Sequence, residues 1–320
     1  MLAMQIDRPR HIRLVEVPRP TPSEGEVLVR LERLSICGSD MRAYRVVWPE
    51  EQYPMPPGFS CHECAGTIVE SRAEGWREGQ RVIVLPPGLQ GGAEFVSAPA
   101  NRLIALPDEG DLAGWVVCQP FGTVLYSVSK LGNVVGKRVV VIGQGAIGLS
   151  FTYLLARMWP SELLALDLID HRLEVARRLG ATRTANPQRD DVRALVQDLT
   201  KGQGADLVVE AVGGPEPLDL ALDLVRYRGT VVAFGLPERE RMEMDYERMM
   251  RQEIQILPTV QHTSPDPTRF IAETVRLITQ GRLDLSWMVT HRMSFREVDR
   301  AYDLYERRAD GIIKVVMSVD

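Results

Sequence analysis

Histidine and cysteine are scarce in this sequence. Five histidines and four cysteines in 320 residues are too few for a disulfide framework. Thiols so thinly spread point to metal binding or catalysis in a reducing compartment. An excess of basic charge is also missing. A formal net charge of -5 and a pI near 5.7 offer nothing to a phosphate backbone or an anionic bilayer, which excludes a general nucleic-acid or membrane-surface role. No apolar run reaches about 18 residues, so no membrane-spanning helix is expected. The opening "MLAMQIDRPRHIRLVEVPRP" breaks into charges and prolines before a signal-peptide core can form. Internal repeats and low-complexity stretches are absent. What remains is a soluble chain, expected in the cytoplasm, and long enough for two cores.

The texture of the chain changes along its length. Up to about residue 118 short strand patterns are cut by Pro and Gly, as in "GEVLVRLERLSICGSD" and "AGTIVESRAEGWREGQRVIVLPPG", with turns at "REGQ" and "PPG". At "KRVVVIGQGAIGLSFTYLLARM" an unbroken apolar strand runs into a Gly-rich turn and then a helix. Alternation follows, with "ELLALDLID", "ADLVVEAVG" and "TVVAFG" as strands and "RLEVARRLGA", "DVRALVQDLT" and "PLDLALDLVRYRG" as helices. Such alternation predicts a parallel sheet covered on both faces. After about residue 262 come "RFIAETVRLITQG", "FREVDRAYDLYERR" and a closing strand "GIIKVVMSV".

"GQGAIG" places Gly143, Gly145 and Gly148 in a G-x-G-x-x-G pattern between strand and helix. Gly143 permits the tight turn, Gly145 lets backbone approach a pyrophosphate, and Gly148 allows close helix–strand packing. The helix start at Ala146 and Ile147 offers free N–H groups and a partial positive charge to that pyrophosphate. Asp167 lies at the end of the next strand, nineteen residues beyond Gly148. A carboxylate there accepts from ribose hydroxyls and repels a 2′-phosphate, which predicts NAD, although the nearby Arg172 is of the kind that accommodates NADP.

A second constellation is "PGFSCHECAG", where Cys61, His62, Glu63 and Cys64 are consecutive. It reads as a redox pair, a metal site or a buried strand, and the spacing alone does not choose. A redox C-x-x-C works at a helix N-terminus, whereas this one leads into a strand, so Cys61 and Cys64 are expected to pack. Upstream, "SICGSDMRAY" supplies Cys37, Ser39 and Asp40. With these residues, "HE" at 62–63, the Gly-rich turn, "GGAEFVSAPANRLIALP" and "GIIKVV", the chain resembles the medium-chain dehydrogenase/reductase superfamily over nearly its whole length. The branch it is most similar to is the zinc-dependent alcohol and polyol dehydrogenases, such as the sorbitol and threonine dehydrogenases.

The resemblance implies an α/β fold: a GroES-like β-barrel catalytic domain at 1–119 plus 262–320, with an inserted Rossmann doubly wound parallel sheet at 120–261. It implies one catalytic zinc in the cleft between them, held by Cys37, His62 and Glu63, a donor set that suits Zn²⁺. Asp40 is then expected to fix the His62 tautomer, and Ser39 to take the substrate proton. Backbone around Val212 and the turn Phe234-Gly235-Leu236 is expected at the nicotinamide.

Three departures stand out. The four-cysteine lobe that holds a structural zinc in many relatives is missing, so no second zinc is expected. Gln119 stands where relatives carry Glu, Asp or Cys, leaving Gln119, Cys118 or water to complete the metal site. A thiolate, a neutral imidazole and one carboxylate would then just balance the ion. Arg42 replaces the histidine that ends the proton relay. It stays protonated, so it is expected to meet the cofactor pyrophosphate or an anionic substrate group.

The expected activity is NAD-dependent oxidation of a secondary alcohol or polyol, or the reverse ketone reduction. The alternatives are a zinc-free NAD(P)H-dependent enone or quinone reductase and a non-catalytic NAD-binding protein. The expected partner is a small alcohol, polyol or ketone, with no nucleic acid and no membrane. A homodimer or homotetramer is expected through the edge strands "VVAFGLP" and "EIQILPTV".

Overall fold

The computed structural model describes residues 1–237 and 241–319. The chain divides into two compact units, Met1–Gly122 with Pro265–Asp320, and Thr123–Ser264.

The first unit is built on a seven-stranded sheet among the described residues. Its order runs Val289–Ser294, Lys314–Ser318, Glu26–Ser35, Glu63–Ser71, Arg81–Val84, Leu103–Ala105, and Phe95–Pro99 also pairs with Glu26–Ser35. A separate hairpin joins Leu2–Arg8 to His11–Glu16. The long strand Glu26–Ser35 buries Val27, Val29, Leu31 and Leu34 in a core with Ile6, Cys64, Ile68, Val82, Tyr302, Val315 and Met317.

Its register matters most for function. Ser35 pairs with Glu63 on one side and with Val316 on the other, both antiparallel. Because both neighbours run antiparallel to it, the residues just past Ser35 lie beside those just before Glu63 and Val316. Cys37, His62 and Lys314 therefore meet at one corner of the sheet, although 277 positions separate the first from the last.

The second unit holds a six-stranded parallel sheet among the described residues, in the order Arg183–Ala185, Glu162–Leu166, Arg138–Ile142, Ala205–Glu210, Val225–Ala233, Gln255–Pro258. The apolar runs are unbroken because both faces are covered. Val140 and Ile142 pack into one core with Leu164, Leu166 and Val208. Val139 and Val141 pack into the other with Leu163, Leu207 and Val209.

Two sequence expectations fail here. "VRYRG" belongs to the strand Val225–Ala233, since the helix before it stops at Leu224. Arg228 has a positive φ of 53°, and the pairing register shifts between Ala205 and Leu207; this kink near the strand start hides a period-2 pattern. "VVAFGLP" is not an edge either, because that strand is flanked on both sides, and among the described residues Gln255–Pro258 borders the sheet there.

Candidate metal centre and nucleotide cradle

Among the described residues, Cys37, His62 and Glu63 form the group that could hold a metal ion, their donor atoms all within 4.8 Å of one another. Asp40 organises two of the three. It is buried at the start of the short helix Asp40–Arg45, where its Oδ2 accepts from the Cys37 N–H at 2.9 Å. Its Oδ1 lies 3.1 Å from His62 Nδ1 and 3.4 Å from the Ser60 hydroxyl. His62 Nδ1 is also 3.3 Å from the Ser60 carbonyl. Two acceptors at Nδ1 place the proton there and leave Nε2 with its lone pair, as a ligating histidine requires. Ser39 Oγ stands 3.5 Å from that Nε2. Burial opposes protonation of His62, but the negative groups of Asp40 and Cys37 outweigh it and hold its pKa well above the ordinary value. The same negative surroundings favour a cation at Nε2, which would have to displace that second proton.

Glu63 is committed elsewhere, which the sequence reading missed. Lys314 Nζ donates to both of its carboxylate oxygens, at 2.8 and 2.9 Å, and to the Ile36 carbonyl at 3.0 Å. All three ammonium donors are satisfied, and both side chains are essentially sealed, 1% and 0% exposed. Burial opposes the ammonium, but the Glu63 charge outweighs it and raises the Lys314 pKa above its usual value. The balance of one thiolate and one carboxylate against a divalent ion is corrected accordingly: Lys314 already cancels the carboxylate. The one sequence signal was a lysine inside the apolar strand "IIKVVM", since a lysine is almost never sealed without a partner.

The other cysteines lie apart from this group. Cys61 and Cys64 are fully buried in the core, as free thiols sharing a hydrogen bond with their sulfurs 3.9 Å apart. A Cβ on Gly91 would meet the Cys64 sulfur at 2.3 Å, so the glycine makes room for that thiol. Cys118 is buried as well, and burial pushes its thiol well above the usual range, opposite to what a metal thiolate needs. Gln119 follows it in the helix Cys118–Ser129 and is nearly buried.

In the second unit the Gly-rich turn joins Arg138–Ile142 to the helix Ala146–Ala156. A Cβ on Gly148 would fall 1.7 Å from the Gly143 carbonyl oxygen, so close packing demands glycine. Gly145 differs, since a Cβ there would meet no protein atom nearer than 3.8 Å. Packing does not explain that glycine, and the space over it is open to a ligand lying against the backbone. The helix has no side-chain cap at Gly145, leaving its first N–H groups available to an anion.

Asp167 accepts from the Gln144 N–H at 2.6 Å and the Ile169 N–H at 2.9 Å, with Arg172 Nη1 4.0 Å away. Ala146 is buried inside the helix start. Val212 and Leu236 are exposed on two loops held together by Glu210, whose carboxylate accepts from the Val212 and Gly213 N–H groups at 2.6 and 2.8 Å. Burial raises the Glu210 pKa, partly offset by the backbone donors of Gly213, Val212 and Gly235.

A family model described as an alcohol dehydrogenase GroES-like domain matches residues 23–108, and one described as a zinc-binding dehydrogenase matches 146–279. An L-threonine 3-dehydrogenase of Caldanaerobacter subterraneus subsp. tengcongensis is 30% identical over 255 residues, spanning 70% of this chain and 72% of that protein. The chain belongs to the zinc-dependent medium-chain dehydrogenase/reductase superfamily. An uncharacterized zinc-type alcohol dehydrogenase-like protein of Escherichia coli K12 is 26% identical, covering 97% of this chain and 96% of that one. Among solved structures, the alcohol dehydrogenase of Thermus sp. ATN1 superposes with a TM-score of 0.86 at 25% identity, each chain fully covered. The superfamily fold, a GroES-like domain with a Rossmann-type parallel sheet, is the fold observed, and membership supports an oxidoreductase. No helix among the described residues is long and apolar enough to cross a membrane.

Proposed function

We propose that the protein is an NAD-dependent dehydrogenase of secondary alcohols or polyols carrying one zinc ion. The observation that carries this reading is the Cys37–His62–Glu63 group with Asp40 bonded to both the Cys37 backbone and the His62 ring. A thiolate, an imidazole nitrogen and a carboxylate oxygen suit zinc, and the residues present fit it. Cys37, His62 and Glu63 would hold the ion, with Gln119 the candidate for a further position. Zinc bound there would supply a Lewis acid toward the substrate oxygen. NAD would supply the hydride acceptor, with Gly143, Gly145, Ala146, Ile147 and Gly148 at its pyrophosphate, Asp167 and Arg172 at its adenosine ribose, and Val212 and Leu236 at its nicotinamide. The L-threonine 3-dehydrogenase relatives, named for oxidation of a secondary hydroxyl, support that substrate type.

The chain's own residues set orientation and proton flow. Asp40 keeps the His62 proton on Nδ1 and fixes the Cys37 backbone, so two ligands separated by 25 positions stay in register. Ser39 Oγ, beside His62 Nε2, would accept the proton leaving the substrate hydroxyl while its own proton passes outward to water. Lys314 holds Glu63, so that carboxylate reaches the metal only by sharing an oxygen with the ammonium or releasing it. Arg42 carries a guanidinium, which offers no proton-accepting atom, and does not end the relay.

Elemental analysis of the purified protein, combined with NADH formation across a panel of secondary alcohols and polyols, tests the reading. About one zinc per chain with NADH production supports it. A metal-free protein that reduces enones with NAD(P)H, or one that binds NAD without turnover, overturns it.

A further inference from the structure

Arg42 sits two residues beyond Asp40 in the helix Asp40–Arg45, its backbone N–H bonded to the Ser39 carbonyl at 3.2 Å. Its guanidinium lies over the Trp48 ring, 5.4 Å from the centroid. Arg42 Nε is buried and has no hydrogen-bond partner, and the same is true of Trp48 Nε1. Nor does Arg42 form an ion pair among the described residues. Asp40 is occupied by Cys37, His62 and Ser60, and Glu50 and Glu51 in the next turn are exposed. Other partly buried arginines in this chain do find carboxylates, as Arg138 and Arg226 find Asp206.

A buried N–H without an acceptor is costly, and here two occur side by side on a cation and the ring it covers. The loop that carries Trp48 is preset, because the Tyr53 hydroxyl accepts from the Trp48 N–H at 3.2 Å and donates to the Val46 carbonyl at 3.1 Å. Stacking on an indole leaves the edge of a guanidinium free for a bidentate acceptor. The dinucleotide's phosphates have donors of their own in the Gly143–Gly148 turn.

We infer that Arg42 and Trp48 anchor an anionic group of the alcohol substrate, a carboxylate or a phosphate, so that the protein acts on hydroxy acids or phosphorylated polyols in preference to neutral alcohols. This rests on the dehydrogenase reading and narrows its substrate class.

Isothermal titration of the full-length protein, supplied with zinc and NADH, compares sorbitol with gluconate and sorbitol 6-phosphate. One of the two anions is expected to bind roughly ten- to a hundred-fold more tightly than sorbitol, the range for a charge-assisted bidentate contact. Arg42→Met should bring that ratio to within about twofold and Arg42→Lys should keep part of it, with NADH affinity unchanged in both. Trp48→Phe, which deletes only the indole donor and benzo ring, should lower the ratio by about three- to tenfold while circular dichroism stays native.

Equal binding of all three probes to the wild type overturns the inference. So does an Arg42→Met protein that loses NADH affinity with the ratio intact, which assigns the guanidinium to the dinucleotide. The dehydrogenase reading fails separately, if zinc and NAD yield no NADH from any alcohol, because the binding ratio is read without turnover.

Discussion

Replacing Lys314 by methionine removes one charge and almost no volume from the sealed pair it makes with Glu63. The ammonium nitrogen sits 2.8 and 2.9 Å from the two carboxylate oxygens. Two unit charges near 4 Å attract by about 4 kcal/mol at an effective dielectric of ~20. Breaking a buried pair by deleting one partner costs about 3–5 kcal/mol, because the remaining charge is stranded. The Ile36 carbonyl loses its ammonium donor too.

With a urea dependence of about 1–3 kcal/mol per molar, the metal-free variant should unfold about 1–5 M earlier than the wild type. Four of the five tryptophans, Trp48, Trp76, Trp115 and Trp287, belong to the unit containing the pair, so tryptophan fluorescence reads mainly the relevant transition. The double variant Glu63→Leu/Lys314→Met should recover most of the loss, since an apolar pair replaces a buried ion pair at little cost. Zinc should protect the single variant more than it protects the wild type, because Glu63 is then released to the metal. A metal-free Lys314→Met protein within about 1 kcal/mol of the wild type would refute the claim that this ammonium neutralises a sealed carboxylate.

Asp40→Asn should weaken zinc binding by about 10- to 100-fold, the usual consequence of removing a carboxylate behind a ligating histidine, read by competition with a chromophoric chelator. Gly148→Ala places a methyl 1.7 Å from the Gly143 oxygen and should cost about 1–3 kcal/mol of stability or more. Gly145→Ala meets no protein atom nearer than 3.8 Å, so it should leave the melting temperature within a degree or two while NADH affinity, followed by fluorescence, falls about tenfold. For Asp206, burial opposes ionisation, but hydrogen bonds from Arg138 and Arg226 prevail and lower its carboxyl to about 2. Because the folded value lies below the unfolded value of about 3.9, its stabilisation is complete above about pH 4 and is lost as pH falls toward 2. Asp206→Asn should flatten that part of the stability profile in urea titrations between pH 5 and pH 2.5.

How much of this was legible in advance follows from the range of each interaction. The Rossmann-type unit was readable because its signals are local. An unbroken apolar run, a Gly-rich turn and a helix lie within twenty residues, and Gly148 answers to a steric demand a few positions away, at Gly143. The misread "VRYRG" shows the limit: a bulged strand start with Arg228 at positive φ interrupts alternation and lets the preceding helical period run on. Cys37 and His62 could be named as candidates by residue type, and the superfamily resemblance joined them, yet nothing local says that they meet.

Sequence alone settled the residue types available for chemistry and the Gly-rich turn between strand and helix, since these rest on composition and on contacts between near neighbours. Tertiary structure decided the partners. The antiparallel register of Ser35 against both Glu63 and Val316 brings Lys314 to the Glu63 carboxylate and sets Cys37 beside His62. A strand's side-chain pattern states which face is buried, but not which distant strand lies opposite, so an ion pair spanning 251 positions appears only once the sheet has formed.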